Sequence, residues 1–123
     1  KIEKIQTIST TGGQKMSQLT AACSMRFSTH EDYLYCGNAG DNSIGIFKRD
    51  KETGLLDFLC CLPVSGDYPK DIAVFPDDKH IASINHGGNI SFFRVDYEKK
   101  LMIMSGKSIK IDEPNSCVFV IVR

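Results

Sequence analysis

Apolar residues along this chain fall into short runs rich in Ile, Val, Phe and Ser, separated by clusters of Gly, Pro, Asn and Asp. One series occupies residues 71–75, 80–85, 89–96 and 101–111, broken by Pro76-Asp77-Asp78, Gly87-Gly88 and Tyr97-Glu98-Lys99-Lys100. No 3.6-residue periodicity persists over a helical length, so the pattern predicts four β-strands joined by tight turns.

The series is written more than once. Residues 27–38 align with residues 74–85 at a shift of 47, and both stretches end in Asn before a Gly-containing turn. A one-residue deletion in that turn brings Ile44, Phe47, Asp50, Glu52 and Leu55 onto Ile90, Phe93, Asp96, Glu98 and Leu101. A third copy starts at Pro114, where Pro-Asn-Ser-Cys-Val-Phe-Val follows the Pro-Lys-Asp-Ile-Ala-Val-Phe that begins at Pro69. Four strands recurring every 40–50 residues or so define a β-propeller blade. The fold expected is therefore all-β, with blade A over residues 22–68 and blade B over residues 69–113. Residues 2–9 align with a fourth strand, and residues 116–122 with a first, so flanking strands are expected at both ends. Such a chain cannot close a ring. The expectation is a C-terminal piece, residues 1–123, of a single larger propeller domain, whose bare faces drive self-association or await the remaining blades.

Composition narrows the choice of function. Fifteen basic residues balance fifteen acidic ones, scattered without a long run, which argues against nucleic acid as a partner. The longest apolar run, residues 118–122, is a strand's length, far short of the ~20 residues of a membrane-spanning helix, so no membrane partner is expected. The chain begins with Lys1 rather than Met, and an upstream segment, with or without a targeting signal, is expected. Five cysteines lack C-x-x-C spacing and read as reduced, small apolar residues of a cytoplasmic protein.

The segments AACSMRFSTHEDYLYCGNAGDNSIGIF, KRDKETGLLDFL and GDYPKDIAVFPDDKHIASINHGGNISFFRVD resemble the C-terminal blades of the seven-bladed lactonase family. That family includes 6-phosphogluconolactonases and 3-carboxymuconate-lactonising enzymes. IDEPNSCVFV is similar to the family's closing strand, and the likeness runs from about residue 5 to residue 122. It implies a cytoplasmic propeller of about seven repeats that opens or closes a lactone of a sugar acid or carboxymuconate-type substrate, without metal or other cofactor.

In such a blade the turns 38–42 and 85–89 share a face with the inter-blade connections 65–69 and 112–114, the face on which propellers usually meet ligands. There Lys70 and Asp71 open an innermost strand, where the family usually has Pro-Arg-Asp. Lys70 is the candidate to hold a substrate carboxylate or phosphate, though without arginine's bidentate fork. His86 and Asp71 are the candidates for proton transfer. Asn38 and Asn85 stand at equivalent positions, where substrate binding competes with turn-forming hydrogen bonds. Two positions depart from the family pattern. Ala39 stands where the family motif Ser-Asn-Arg-Gly has Arg, and Ser24 where an inner strand often carries Glu. Losing a cation and a carboxylate from one cleft favours an alternative, a non-catalytic scaffold that binds a ligand or protein on this face.

Other groupings read as structure. His30-Glu31-Asp32 and Asp77-Asp78 lie in turns of the opposite face, and neither has metal-ligand spacing. Gly12-Gly13 and Gly87-Gly88 are turn glycines with no phosphate-binding helix after them. Cys36 reads as buried packing without an activating base.

Overall fold

The computed structural model describes residues 1–14 and 19–122 and places two antiparallel sheets side by side. The first, blade A, has the order β1 (Ala21–Phe27), β2 (Tyr33–Ala39), β3 (Ser43–Arg49), β4 (Leu56–Pro63). The second, blade B, has the order β5 (Pro69–Val74), β6 (His80–Asn85), β7 (Asn89–Asp96), β8 (Leu101–Met104), with β9 (Ile109–Lys110) also on β7. No helix occurs among the described residues.

The blades pack face to face through one apolar cluster. Tyr35, Ile44 and Ile46 of blade A meet Ile72, Ile81, Phe93 and Val95 of blade B, and Val64 of the connection closes the group. On its other face, blade A packs Leu34, Cys36 and Phe47 against Ile8. Covered on both faces, β2 and the first part of β3 are buried almost throughout, which is why they read as continuous apolar runs rather than alternating ones. The edge strand β1 leaves Met25 and Phe27 largely exposed.

Three expectations of strand extent need correction. The fourth strand of blade B does not run unbroken over residues 101–111. It stops at Met104 and resumes as β9, because Gly106 takes a φ of 88° in the Ser105-Gly106 turn. Neither residues 2–9 nor residues 116–122 form a strand, since a strand exists only with a neighbour to share its hydrogen bonds. Residues 6–12 instead lie across blade A. The Gln6 amide donates to Leu56 O and accepts from Leu56 N, each at 2.8 Å, and Asn38 Nδ2 donates to Thr10 O. Residues 115–119 run beside β5, where the ring of Phe119 lies 3.9 Å from that of Phe75.

One end of the blade pair is tied by an acidic turn. The Asp78 carboxylate accepts from the amides of Thr29 and His30 and from the His30 ring, joining the first turn of blade B to that of blade A. Next to it, Tyr97 stacks on Tyr33 with ring centroids 3.8 Å apart, shares a hydrogen bond with Tyr35 and donates to Asp78 O. Burial raises the Asp78 pKa, but the His30 ring and the two amides outweigh it and leave the group below the ordinary carboxylate range. Asp77, hydrogen-bonded to the His80 ring and to the amides of Lys79 and His80, is held at about 2. Both carboxyls are more acidic folded than unfolded, so they stabilise the fold above their unfolded pKa of ~4. That contribution is lost as pH falls from about 4 to about 2. Urea midpoints measured between pH 5 and 2 are expected to drop over this interval, and less steeply in Asp78→Asn.

Candidate functional site

Both inner strands bulge at equivalent places. The register of β1 slips between Ala22 and Ser24, and that of β5 between Pro69 and Asp71. A bulge adds one residue and re-aims its side chain. Here the extra residues are Cys23 and Lys70, 47 positions apart and thus the same site in two copies. Both face a cleft of about 440 Å³ between the blades, lined also by Ala39, Tyr68, Pro69 and His86.

The inter-blade connection roofs this cleft and is pinned from both sides. Asn42, in the second turn of blade A, accepts from the Tyr68 amide at 2.8 Å through Oδ1. Its Nδ2 donates to Asp67 at 3.3 Å, and its carbonyl accepts from Val64 N. From blade B, His86 N donates to Tyr68 O at 3.0 Å, and Ser91 Oγ donates to Ser65 O at 2.6 Å. Tyr68 has a φ of 58°, a left-handed conformation that costs a bulky side chain about 1–3 kcal/mol and is doubly unusual before a proline. Glu113, before Pro114, repeats it with a φ of 45°. The backbone geometry therefore belongs to the repeat, while the aromatic ring belongs to this copy. The Tyr68 ring stands edge-on to His86, centroids 6.1 Å apart.

Of the residues singled out in the sequence, the fold brings Lys70 and His86 together on the cleft wall. Lys70 is half-buried, and its ammonium donates to the neutral carbonyl of Asn115 at 3.1 Å. Among the described residues it has no recorded ion pair. His86 is exposed. Asp71 lies elsewhere. Its side chain is only 4% exposed, and one oxygen accepts from Arg26 at 3.0 Å and from the Cys117 amide at 3.1 Å. It thus links three successive inner segments. Asn38 and Asn85 are wholly buried and do not line the cleft. Asn85 accepts from Ser83 at 2.9 Å and donates to Ser91 at 3.2 Å. Asn38 donates to Ser43 and Thr10, but its Oδ1 has no partner among the described residues. The 47-residue shift explains the orphan: Cys36 stands where blade B has Ser83, and its thiol points at Gly37 O instead. Replacing Ser83 by Ala should orphan Asn85 likewise and cost about 1–3 kcal/mol in urea unfolding, the desolvation penalty of one buried acceptor.

Ala39 does line the cleft. Ser24 Oγ is buried without a partner among the described residues. Sequence reasoning missed Cys23 and Tyr68. Cys23 was within reach, because the shift that aligns the blades sets it on Lys70. Its thiol lies within hydrogen-bond reach of Pro69 O at 2.7 Å and Gly37 O at 3.3 Å and can donate to one of them at a time, and burial pushes its pKa up. No three His, Cys, Asp or Glu side chains gather as a metal site among the described residues.

Two stacked antiparallel sheets, each four strands deep along its main path, bulged alike and joined by a connection that roofs a shared cleft, define successive blades of a β-propeller. A profile of the family described as "Lactonase, 7-bladed beta-propeller" matches residues 1–120, and the chain belongs to that family. Among solved structures it is similar to a candidate 6-phosphogluconolactonase of Bacteroides fragilis, with 25% identity and a TM-score of 0.69, covering 77% of this chain and 27% of that one. The periplasmic gluconolactonase of Pseudomonas aeruginosa shares 21% identity at a TM-score of 0.70, with coverage of 78% and 27%. A Lactobacillus plantarum protein shares 20% at 0.74, with coverage of 89% and 32%. The chain thus spans under a third of the length of these structures. A comparison with curated proteins gives no match.

Proposed function

We propose that the cleft between the blades holds a lactone bearing a carboxylate or phosphate, or its ring-opened form, with Lys70 on the anion and His86 moving the proton. The observation that carries this reading is the joint placement of a lysine without a recorded ion pair among the described residues and an exposed histidine on one cleft of about 440 Å³. In ring opening, water oxygen bonds to the lactone carbonyl carbon and the ring C–O bond breaks. His86 takes the water proton and returns it to the departing alkoxide oxygen, leaving a hydroxy acid. Buried Asp71 holds Arg26 and the segment after Pro114 in place, below the reacting atoms. The remaining blades of the same wheel supply the rest of the site and cover the exposed flanks at Val118, Val120 and Val122.

Sugar-acid lactones are the first substrates to test, since two of the similar structures carry gluconolactonase names. The experiment follows hydrolysis of 6-phosphogluconolactone, and in parallel the lactonising of carboxymuconate, by the polypeptide that includes the remaining blades. Turnover of either is expected to fall in His86→Ala, and turnover unchanged in a Lys70→Ala/His86→Ala double variant would remove these residues from the site. Ala39 on the cleft wall favours the second reading, a binding scaffold without catalysis, which predicts saturable ligand binding but no product.

A further inference from the structure

We infer that Tyr68 is a specificity-determining wall that makes this cleft selective for flat, sparsely hydroxylated ring carboxylates over polyhydroxylated ones. The inference rests on the reading of the cleft given above and narrows its substrate class. Four of its six lining side chains, Cys23, Ala39, Tyr68 and Pro69, offer a bound ring apolar surface or a thiol already committed to backbone carbonyls. Lys70 and His86 are left as the strong polar groups, enough for one carboxylate and one proton. A ring bearing several hydroxyls would leave most of them without partners on this wall, and each unpaired buried hydroxyl weakens binding.

Tyr68 is placed for this role by its neighbours. Its amide is held by Asn42 Oδ1 and its carbonyl by His86 N, so the connection fixes the backbone on both sides of the aromatic ring. The ring is about half exposed and meets the His86 imidazole edge-on, which leaves its other surface for a planar guest. The next connection presents Glu113 in the same backbone conformation. An acid there repels a carboxylate, whereas Tyr68 accepts the ring behind one. The two successive connections are therefore chemically distinct although their backbones repeat.

The test titrates the full chain with 2-furoate, gluconate and inorganic phosphate, following amide NMR shifts around residues 68–70 and 86. Furoate is expected to bind about 10-fold more tightly than gluconate. Tyr68→Leu should weaken furoate by about 3- to 10-fold, the range of one aromatic contact, and leave gluconate within twofold. Tyr68→Phe should keep the preference, and Asn42→Ala, which frees the connection, should erode it. Thermal melts of each variant separate loss of fold from loss of selectivity. Equal binding of furoate and gluconate, tighter binding of phosphate, a parallel loss of both carboxylates in Tyr68→Leu, or no furoate binding at all would overturn the inference. Lactone turnover whose ring preference ignores Tyr68→Leu would sink it and spare the catalytic reading. Ring-selective binding by an assembled wheel that turns over no lactone would do the reverse.

Discussion

Replacing Lys70 by alanine is expected to lower kcat/KM for a carboxylated lactone by roughly 10- to 100-fold, with most of the loss in KM. The size follows from the ~1.5–3 kcal/mol of a hydrogen bond to a charged group. Lys70 should show the effect strongly because its recorded partner, Asn115, is neutral and leaves the charge free for a substrate. Lys70→Arg should recover part of the loss, since the cation returns with a longer reach and a planar fork. Asn115→Ala serves as the control. It removes the ammonium's protein partner without removing the charge, and KM should change by less than about threefold, less than one charge-assisted bond is worth. Steady-state kinetics of the wild type and these three variants decides the matter. A Lys70→Ala variant with unaltered KM would show that the anion sits elsewhere.

Asp71→Ala is expected to have the largest effect on stability, about 2–3 kcal/mol in urea unfolding. Asp71 is nearly buried, and a single carboxylate oxygen serves both the Arg26 guanidinium and the Cys117 amide, on the inner segments either side of β5. Truncating it leaves the Cys117 donor unpaired and cuts the one recorded hydrogen bond between the charged side chains of β1 and β5. The figure stays below that of a fully buried pair because the Arg26 side chain is 46% exposed and can turn to water. Arg26→Gln should therefore cost less, about 1 kcal/mol, since the carboxylate keeps its amide donors. Hydrogen exchange at the Cys117 amide gives an independent reading. Asp71→Ala should speed it well beyond the global loss of stability, and exchange that merely tracks that loss would show that the carboxylate does not hold the segment.

Much of the architecture could be read from residue order alone. The 47-residue shift, the breakers at Pro76 and Gly87-Gly88 and the missing helical period are local signals, and they set the strands and the face on which the connections gather. The bulges at Cys23 and Lys70 left no trace in the alignment, because both copies carry them and no gap results. The end segments misled for a different reason. Residues 2–9 and 116–122 have strand-like composition, but pairing is a property of neighbours, and composition cannot supply one. The candidate site was half legible. Lys70, in β5, and His86, in the turn after β6, both line the cleft, whereas Asp71, Asn38 and Asn85 are just as polar in the sequence. Only packing shows their side chains turned into the fold and engaged there. Tyr68 was hidden because its importance comes from a left-handed backbone before Pro69, which no propensity of tyrosine or proline would suggest.

In the shared apolar cluster Val64 lies in the linker, and every other member sits on a surface that the opposite blade covers, so neither sheet owns a complete interior. The residues between β4 and β5 are thus no domain border. A protease cut there, or separate expression of the halves, would strip both of their buried side chains at once, and in a calorimeter the pair should melt as a single cooperative unit.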